Sequence, residues 1–257
     1  MTARSDQMMG PQGAPLPRRS IWIAQALTIA GLVLYVLLAL VPAVLWLVLF
    51  YVQDAREPEP LGYVVRVALA GGVLGGAIVL PVVQRVFASA GWVNAGPLVG
   101  LLGSILIIGA LQEFCVYLAV RYTVYEVSEF DEVADGVTYG TAAGVGLAAM
   151  LNLWLVMAGP SINAVPMAIR MVVIALGHSA FGGVLGYFLG LAKIHHQPQR
   201  AVQGFVLAAV LNGLFTYFLR EVTQSGLTYK PWNGLVLAAA VAVIVTLVLV
   251  RREHAKA

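Results

Sequence analysis

Long apolar stretches, separated by short polar connections, run along nearly the whole of this 257-residue chain. A helix needs about 20 apolar residues to cross the hydrocarbon core of a membrane. The apolar stretches of suitable length cover residues 21–52, 62–88, 97–122, 135–158, 164–192, 201–220 and 232–250. The pattern therefore predicts an all-α fold, a polytopic transmembrane helical bundle of about seven spans. The first span is long enough to require tilting, and Pro42 can kink it.

The two ends of the chain differ from its apolar middle. Residues 1–20, "MTARSDQMMGPQGAPLPRRS", are rich in proline, glycine and glutamine and are predicted to form a disordered tail. The apolar run that follows is much longer than the hydrophobic region of a signal peptide, which indicates a retained anchor. Because the connections are too short for a soluble domain, residues 21–252 are expected to form a single transmembrane domain, followed by a tail at 253–257.

Composition supports a membrane location. Only 11% of the residues are charged and 60% are hydrophobic, whereas a soluble domain carries about 25% charged residues. We expect a multi-pass integral membrane protein, of the bacterial cytoplasmic membrane. The net charge of +3 comes mostly from residues that flank apolar runs, which suits lipid headgroups rather than nucleic acid. Arginine pairs border both the first and the last span, so orientation stays open, and the single cysteine excludes an intramolecular disulfide.

Glycines recur every four residues on three of the predicted spans. Small residues at this spacing lie on one helix face and let two backbones approach closely in lipid. Three such series are more than the general abundance of glycine in membrane helices explains, so we expect tightly packed helix pairs. The series are Gly72 and Gly76; Gly136, Gly140 and Gly144; and Gly182, Gly186 and Gly190.

A few polar residues interrupt the apolar runs and are candidates for function. Glu113 lies in the third span, Asn152 in the fourth, His178 in the fifth and Asn212 in the sixth. A carboxylate at membrane depth costs several kcal/mol unless it is protonated, paired or hydrated. Their depths allow Glu113, His178 and Asn212 to converge, and we expect Glu113 and His178 to face a common polar cavity. The structural alternative is that the histidine and the asparagines only hydrogen-bond neighbouring helices.

Acidic residues in the connections have a simpler explanation. Asp131, Glu132 and Asp135 precede or begin the fourth span, where negative charge stabilises a helix N-terminus. Glu57 and Glu59 are ordinary charges of a membrane interface on the same reasoning. Capping and solvation account for all of them, so position alone assigns them no chemistry.

Three segments resemble the PrsW family of intramembrane proteases. They are "YVQDAREPEPLGYVVRVALAGG", "LQEFCVYLAVRYTVYEVSEFDEVADGVTYGTAAGVGLAAMLN" and "IRMVVIALGHSAFGGVLGYFLGLAK". The likeness covers roughly residues 40 to 220. Its most specific parts are the "DAREPEP" loop and the "FDEVADGVTYG" block. The family-motif residues in these two parts are Asp54, Glu57, Glu59, Phe130, Asp131, Glu132, Asp135 and Tyr139.

The resemblance implies peptide-bond hydrolysis within or beside the membrane, with water activated by a Glu-Glu pair and by histidines on separate helices. This sequence departs from that pattern. Gln112 replaces the first glutamate of Glu-Glu-x-x-Lys, and Val116 replaces its lysine. Leu151 stands where the family usually has glutamate, and Asn212 where a histidine is expected. Each exchange removes a charge or a base.

The catalytic-motif residues that this sequence keeps define the candidate site. Glu113 and His178 are the candidate catalytic residues, vestigial if activity is lost. The polar residues expected around the same cavity are Gln112, Asn152, Asn212 and Arg170. No cofactor is expected. No metal ligands are assigned, because most metal sites need three or four protein ligands and only two candidates remain here. A divalent metal is nevertheless left open.

Three functions are compatible with these residues. The favoured one is a degenerate pseudoprotease that binds a transmembrane segment or a partner protein in the inherited cleft. The alternative is an active, divergent endopeptidase in which Glu113 and His178 activate water. A weaker alternative is a transporter or structural membrane subunit, which lacks the support of an internal repeat. The expected partners are membrane lipids and a transmembrane protein substrate or partner.

Overall fold

A computed structural model describes residues 18–52, 59–93, 95–158 and 164–224. Every regular element in these ranges is a helix. The helices are α1 (Arg18–Val52), α2 (Leu61–Val86), α3 (Ser89–Trp92), α4 (Pro97–Thr123), α5 (Val133–Ala158), α6 (Ala164–Ile194) and α7 (Gln199–Gln224). The chain divides into two units, Met1–Leu38 and Ala39–Ala257. The described part of the first unit is the N-terminal portion of α1, and the second unit holds the remaining helices.

Within the described residues, five helices are long and apolar enough to cross a membrane: Leu61–Val86, Pro97–Thr123, Val133–Met157, Met167–Ile194 and Gln199–Leu219. They match five of the seven predicted spans, so the helical membrane fold is confirmed and the count of seven is not. Helix α1 continues through Pro42, and its described stretch Ala39–Leu49 is a shorter apolar helix. The predicted span 232–250 lies outside the described residues. So does most of the predicted tail, since α1 begins at Arg18.

Helix α2 is irregular in its second half. It contains two π-helical turns, Gly75–Val79 and Val82–Val86, on either side of Pro81. Proline lacks an N–H and its ring displaces the carbonyl one turn earlier, so the regular hydrogen-bond ladder cannot continue through it. A wider turn re-pairs the backbone, as when the N–H of Leu80 donates to the carbonyl of Gly75. This irregular half is the part of α2 that reaches the candidate site.

Backbone contacts between glycines join α5 to α6. A Cβ placed on Gly140 would overlap the carbonyl oxygen of Gly182, and one on Gly186 would overlap that of Gly136. Only glycine permits this approach, so the close packing predicted from the glycine series is confirmed, and the structure identifies α5 and α6 as partners. Gly71 makes the same kind of contact with Ala143 and joins α2 to α5. These contacts make α5 antiparallel to α6.

One end of the bundle gathers the acidic connections, and we call it the acidic end: residues 59–60 and 124–132. The Tyr51 hydroxyl donates to the carbonyl of Glu59 at 3.0 Å, and the Lys193 ammonium donates to the carbonyl of Val127 at 3.1 Å. The first bond joins the end of α1 to the start of α2, and the second joins the end of α6 to the connection that follows α4. Helices α2 and α5 therefore end, and α4 and α6 begin, at the opposite end, which we call the cavity end.

Candidate functional site

A cavity of about 290 Å³ lies between α2, α4, α5, α6 and α7, and reaches the cavity end of the bundle. Its walls are mostly apolar, and none of the described residues that line it is acidic. The polar and basic residues that line it are Gln84, Ser89, Ser104, Gln112, Arg170, His178 and Thr216. A cavity lined by His178 therefore exists, but its wall is less polar than the sequence predicts.

Glu113 lies behind the wall of this cavity. Its side chain is 1% exposed, and its Oε1 accepts a hydrogen bond of 2.7 Å from the Nδ2 of Asn212. The Thr216 hydroxyl, on the cavity wall, donates to the Oδ1 of Asn212 at 3.3 Å. A hydrogen-bonded path thus leads from the cavity wall through Asn212 to the carboxylate. The predicted meeting of Glu113 and Asn212 is confirmed.

Gln112, not Glu113, presents its side chain to the cavity. Its Oε1 is buried and, within the described part of the chain, accepts no hydrogen bond. The Oε2 of Glu113 is likewise buried and unpaired there. Glu113 does not line the cavity with His178, so the expectation of a common cavity for these two residues is not met. Neighbouring residues on a helix point about 100° apart, and the amide occupies the direction expected for the carboxylate.

His178 lines the cavity from the middle of α6. Its ring is 3% exposed and lies 6.1 Å, between centroids, from each of Phe181 and Phe215. Neither ring nitrogen has a hydrogen-bond partner among the described residues. A buried imidazole with both nitrogens unpaired is costly in an apolar site, so the site suits a ligand or water that pairs with it.

Asn152 joins helices by hydrogen bonds and does not line the cavity. It is fully buried, and its Nδ2 donates to the carbonyls of Met171 at 3.1 Å and Ala39 at 3.4 Å. It therefore links α5 to α6 and to α1, as the structural alternative predicts, and it is absent from the cavity wall. The adjacent Leu151 does line the cavity, at the position where the resemblance expects a glutamate.

Arg170 lines the cavity near its end, eight residues before His178 on α6. Its Nε is buried and has no hydrogen-bond partner within the described ranges. At 1.5 Å per residue the two residues are separated by about 12 Å along the helix axis. The cavity thus carries a guanidinium near the membrane surface and an imidazole at depth.

The family-motif residues form a separate cluster at the acidic end. Tyr139 is fully buried and its hydroxyl donates to Oε2 of Glu59, and the carboxyl groups of Glu59 and Asp135 lie close together. Asp135 in turn accepts the backbone N–H groups of Asp131, at 3.0 Å, and Glu132, at 2.6 Å. This reach back from the first turn of α5 is the geometry of a helix cap.

Of the other motif residues, Phe130 packs within this cluster. The buried ring of Phe130 lies 5.8 Å from that of Tyr139. Asp131 and Glu132 are exposed. Asp54 and Glu57 lie outside the described residues. None of the described motif residues lines the cavity, so this cluster is structural in its geometry and the candidate chemistry lies at the other end.

Sequence reasoning missed four polar residues that line the cavity: Gln84, Ser89, Ser104 and Thr216. Thr216 is four residues after Asn212, so the two share a face of α7, and this spacing was the available signal. The apolar part of the cavity gave no signal, because Trp154, Phe215 and Leu219 resemble any other residues of an apolar span.

Comparison with known proteins agrees with the resemblance. Residues 59–250 match the family model described as PrsW family intramembrane metalloprotease. The protein named Protease PrsW from Geobacillus kaustophilus (strain HTA426) is 31% identical over 183 residues, which cover 69% of this chain and 76% of the relative. Proteins of the same name from Oceanobacillus iheyensis and Bacillus subtilis (strain 168) are each 26% identical, covering 76% and 71% of this chain and 86% and 81% of the relatives. No solved structure matches.

A metal is implied by the description of that family, and the donors near His178 can be tested against it. Among the described residues no group of three or more His, Cys, Asp or Glu side chains is placed to hold an ion. The unpaired donors are one imidazole, one carboxylate oxygen of Glu113 and the amide oxygen of Gln112. A zinc site needs at least three strong protein ligands, so the described residues do not fit one.

Proposed function

This chain belongs to the PrsW family of intramembrane proteases, and from that premise we propose that it binds a peptide segment of a membrane protein in its cavity without cleaving it. The observation that carries the proposal is the chemistry of the cavity wall. The two wall positions at which the resemblance expects carboxylates hold Gln112 and Leu151. A cleft whose described wall carries no acidic side chain suits binding better than hydrolysis.

Amide hydrolysis needs a base for water, a stabiliser for the oxyanion and an acid for the leaving nitrogen. Gln112 can donate a hydrogen bond but cannot take a proton from water. Glu113 is held by Asn212 behind the wall, at 2.7 Å. General acid–base assistance contributes about 10²–10⁴-fold per well-placed group, so the loss of two wall carboxylates and of the second histidine takes turnover below detection.

Peptide binding is supported by the unpaired groups of the cavity. Gln112 offers an acceptor and His178 offers both ring nitrogens. Each residue of an extended peptide brings one backbone donor and one acceptor. A peptide segment in the cavity would satisfy groups that an apolar core leaves unpaired.

One observation favours a second candidate, the active endopeptidase. Glu113 keeps an unpaired Oε2 and His178 has both nitrogens unpaired. If the Glu113 side chain turned past Gln112, a carboxylate and an imidazole would meet at the cavity. In that case Glu113 would act as the base for water and His178 would assist proton transfer to the leaving nitrogen.

Purified protein in liposomes, given a transmembrane-segment reporter, separates the two candidates. We expect no cleavage by the native chain. The triple substitution Gln112→Glu, Leu151→Glu and Asn212→His restores the missing groups and tests whether the cleft can still support cleavage. Cleavage by the native chain that Glu113→Ala abolishes would establish the second candidate.

Binding is measured separately, by photo-crosslinking a membrane peptide to the native chain. Ile174→Trp fills the cavity, because Ile174 lines it and is 7% exposed, and is expected to reduce crosslinking strongly. Ile169→Trp, on the same helix but 56% exposed, is the matched control. Thermal unfolding checks that both variants are folded. If both are folded and crosslink equally, binding in the cavity is contradicted.

A further inference from the structure

Arg170 is the one fully charged residue among the described residues that line the cavity. It lies within the membrane span Met167–Ile194, where an arginine is rare and almost always faces the protein interior or a water-filled space. The ion pair found in the described ranges, between Arg121 and Glu126, lies elsewhere. The guanidinium therefore faces an apolar chamber without a described counter-charge.

A guanidinium in this position suits an anion with two oxygens that can accept its paired N–H groups. A guanidinium presents N–H donors in a fixed fork that matches a carboxylate or a phosphate. The Nε of Arg170 is one of these donors, and it is buried and unpaired in the described part of the chain. A ligand that carries such an anion beside an apolar body would match both the cation and the walls around it.

The deep end of the cavity distinguishes a peptide from a lipid. Gln112 and His178 leave one acceptor and two ring nitrogens unpaired there. A lipid that placed its phosphate on Arg170 would extend an acyl chain inward, and an acyl chain pairs with none of these atoms. A peptide brings backbone N–H and C=O groups at every residue, so the whole cavity, and not only its mouth, favours a peptide.

We propose that Arg170 binds the carboxylate of an acidic residue in the peptide that occupies the cavity, and so selects which membrane segments bind. This proposal rests on the proposed function. Arg170 and His178 are about 12 Å apart along α6, and an extended peptide advances about 3.3 Å per residue. The acidic residue is therefore about three to four residues from the part of the peptide that contacts His178 and Gln112.

The test uses the full chain in liposomes of a neutral lipid and three short alanine–leucine peptides that differ at one position, which holds Glu, Gln or Lys. Binding is followed by fluorescence anisotropy. The native chain is expected to bind the Glu peptide at least about tenfold more tightly than the Gln peptide, as a charged hydrogen bond requires. Arg170→Gln is expected to bring the ratio close to one, and Arg170→Glu to favour the Lys peptide.

Arg85→Gln is the matched control, because Arg85 is an exposed arginine of α2 at the same end of the bundle and does not line the cavity. It is expected to keep the preference for Glu. The spacing is checked with a photo-reactive residue moved stepwise along the Glu peptide. Crosslinks to the α6 segment around His178 are expected to be strongest three or four residues from the glutamate.

The outcomes separate the two proposals. If the native chain binds the Glu and Gln peptides equally, Arg170 does not select a carboxylate, while peptide binding itself stands. If it binds no peptide, the proposed function fails and this inference fails with it. If liposomes containing phosphatidylglycerol abolish the preference by competing at Arg170, the anion is a lipid phosphate and the peptide assignment is overturned. The main comparison, between the affinities of the native chain for the three peptides, does not depend on whether any variant folds.

Discussion

At the scale of single residues, the depth of a residue within the membrane could be predicted from the sequence. The direction in which its side chain points around the helix axis could not. Counting along the apolar runs brings Glu113 and Asn212 to one level, and they are hydrogen-bonded. The same counting cannot tell which of Gln112 and Glu113 faces the cavity, because adjacent residues differ by about 100° around the axis. That angle depends on how α4 is rotated against its neighbours, and its π-helical turn at Ser104–Gly109 shifts the rotation locally.

Asn152 provides a prediction at this scale. Asn152→Ala removes a donor shared by two backbone carbonyls on different helices, at 3.1 and 3.4 Å. The free energy of unfolding should fall by about 1–2 kcal/mol, the range of interhelical hydrogen bonds in membranes. Unfolding of the reconstituted protein measures the change. Gln203→Ala, an exposed position on α7, serves as the comparison, and an equal effect of the two substitutions would disprove the structural role of Asn152.

At the scale of helices, the sequence predicts an element best where a single property, such as the length of an apolar run, determines it. Five apolar runs became five helices within a few residues of their predicted ends, because length and apolarity alone specify a span. The π-helical turns beside Pro81 could not be placed, since a proline interrupts the ladder without determining how the backbone re-pairs. The glycine series predicted close packing, whereas the pairing of the glycine faces of α5 and α6 came only from the structure.

The contact between α5 and α6 gives a second prediction. Gly140→Ala places a methyl group against the carbonyl of Gly182, which is backbone and cannot move aside alone. The helices must separate, and the free energy of unfolding should fall by about 1–3 kcal/mol. Gly62→Ala has no atom within 4 Å of the added methyl group and should be neutral or slightly stabilising. Thermal unfolding of both variants tests this, and tolerance of alanine at Gly140 would contradict the packing.

At the scale of the whole molecule, the two polar regions occupy opposite ends. The cluster of Glu59, Asp135 and Tyr139 fastens the start of α2 to α5. The cavity lies where α2 and α5 end. Sequence identified both regions through the resemblance, but not their separation, because the parallel course of α2 and α5 follows from their packing.

This separation predicts that stability and binding respond to different substitutions. Tyr139→Phe removes the hydroxyl that donates to Glu59 and leaves the ring in place. We expect the free energy of unfolding to fall by about 1–2 kcal/mol, because a buried carboxylate oxygen loses its donor. The affinity for the Glu peptide should not change. A matched loss of affinity in Tyr139→Phe would show that the two ends are coupled.

The glycine contacts also limit how a peptide can reach the cavity from the surrounding lipid. Gly140 and Gly186 close the seam between α5 and α6, and Gly109 closes the seam between α4 and α7 against the carbonyl of Ala209. Backbones in direct contact leave no side chains that could rotate aside to admit a peptide. The second half of α2 instead meets α5 through side chains, where Gly75 and Gly76 face Leu147 and Met150, and two wide turns surround Pro81. We therefore expect this segment to act as a lateral gate, swinging from the anchored first half of its own helix.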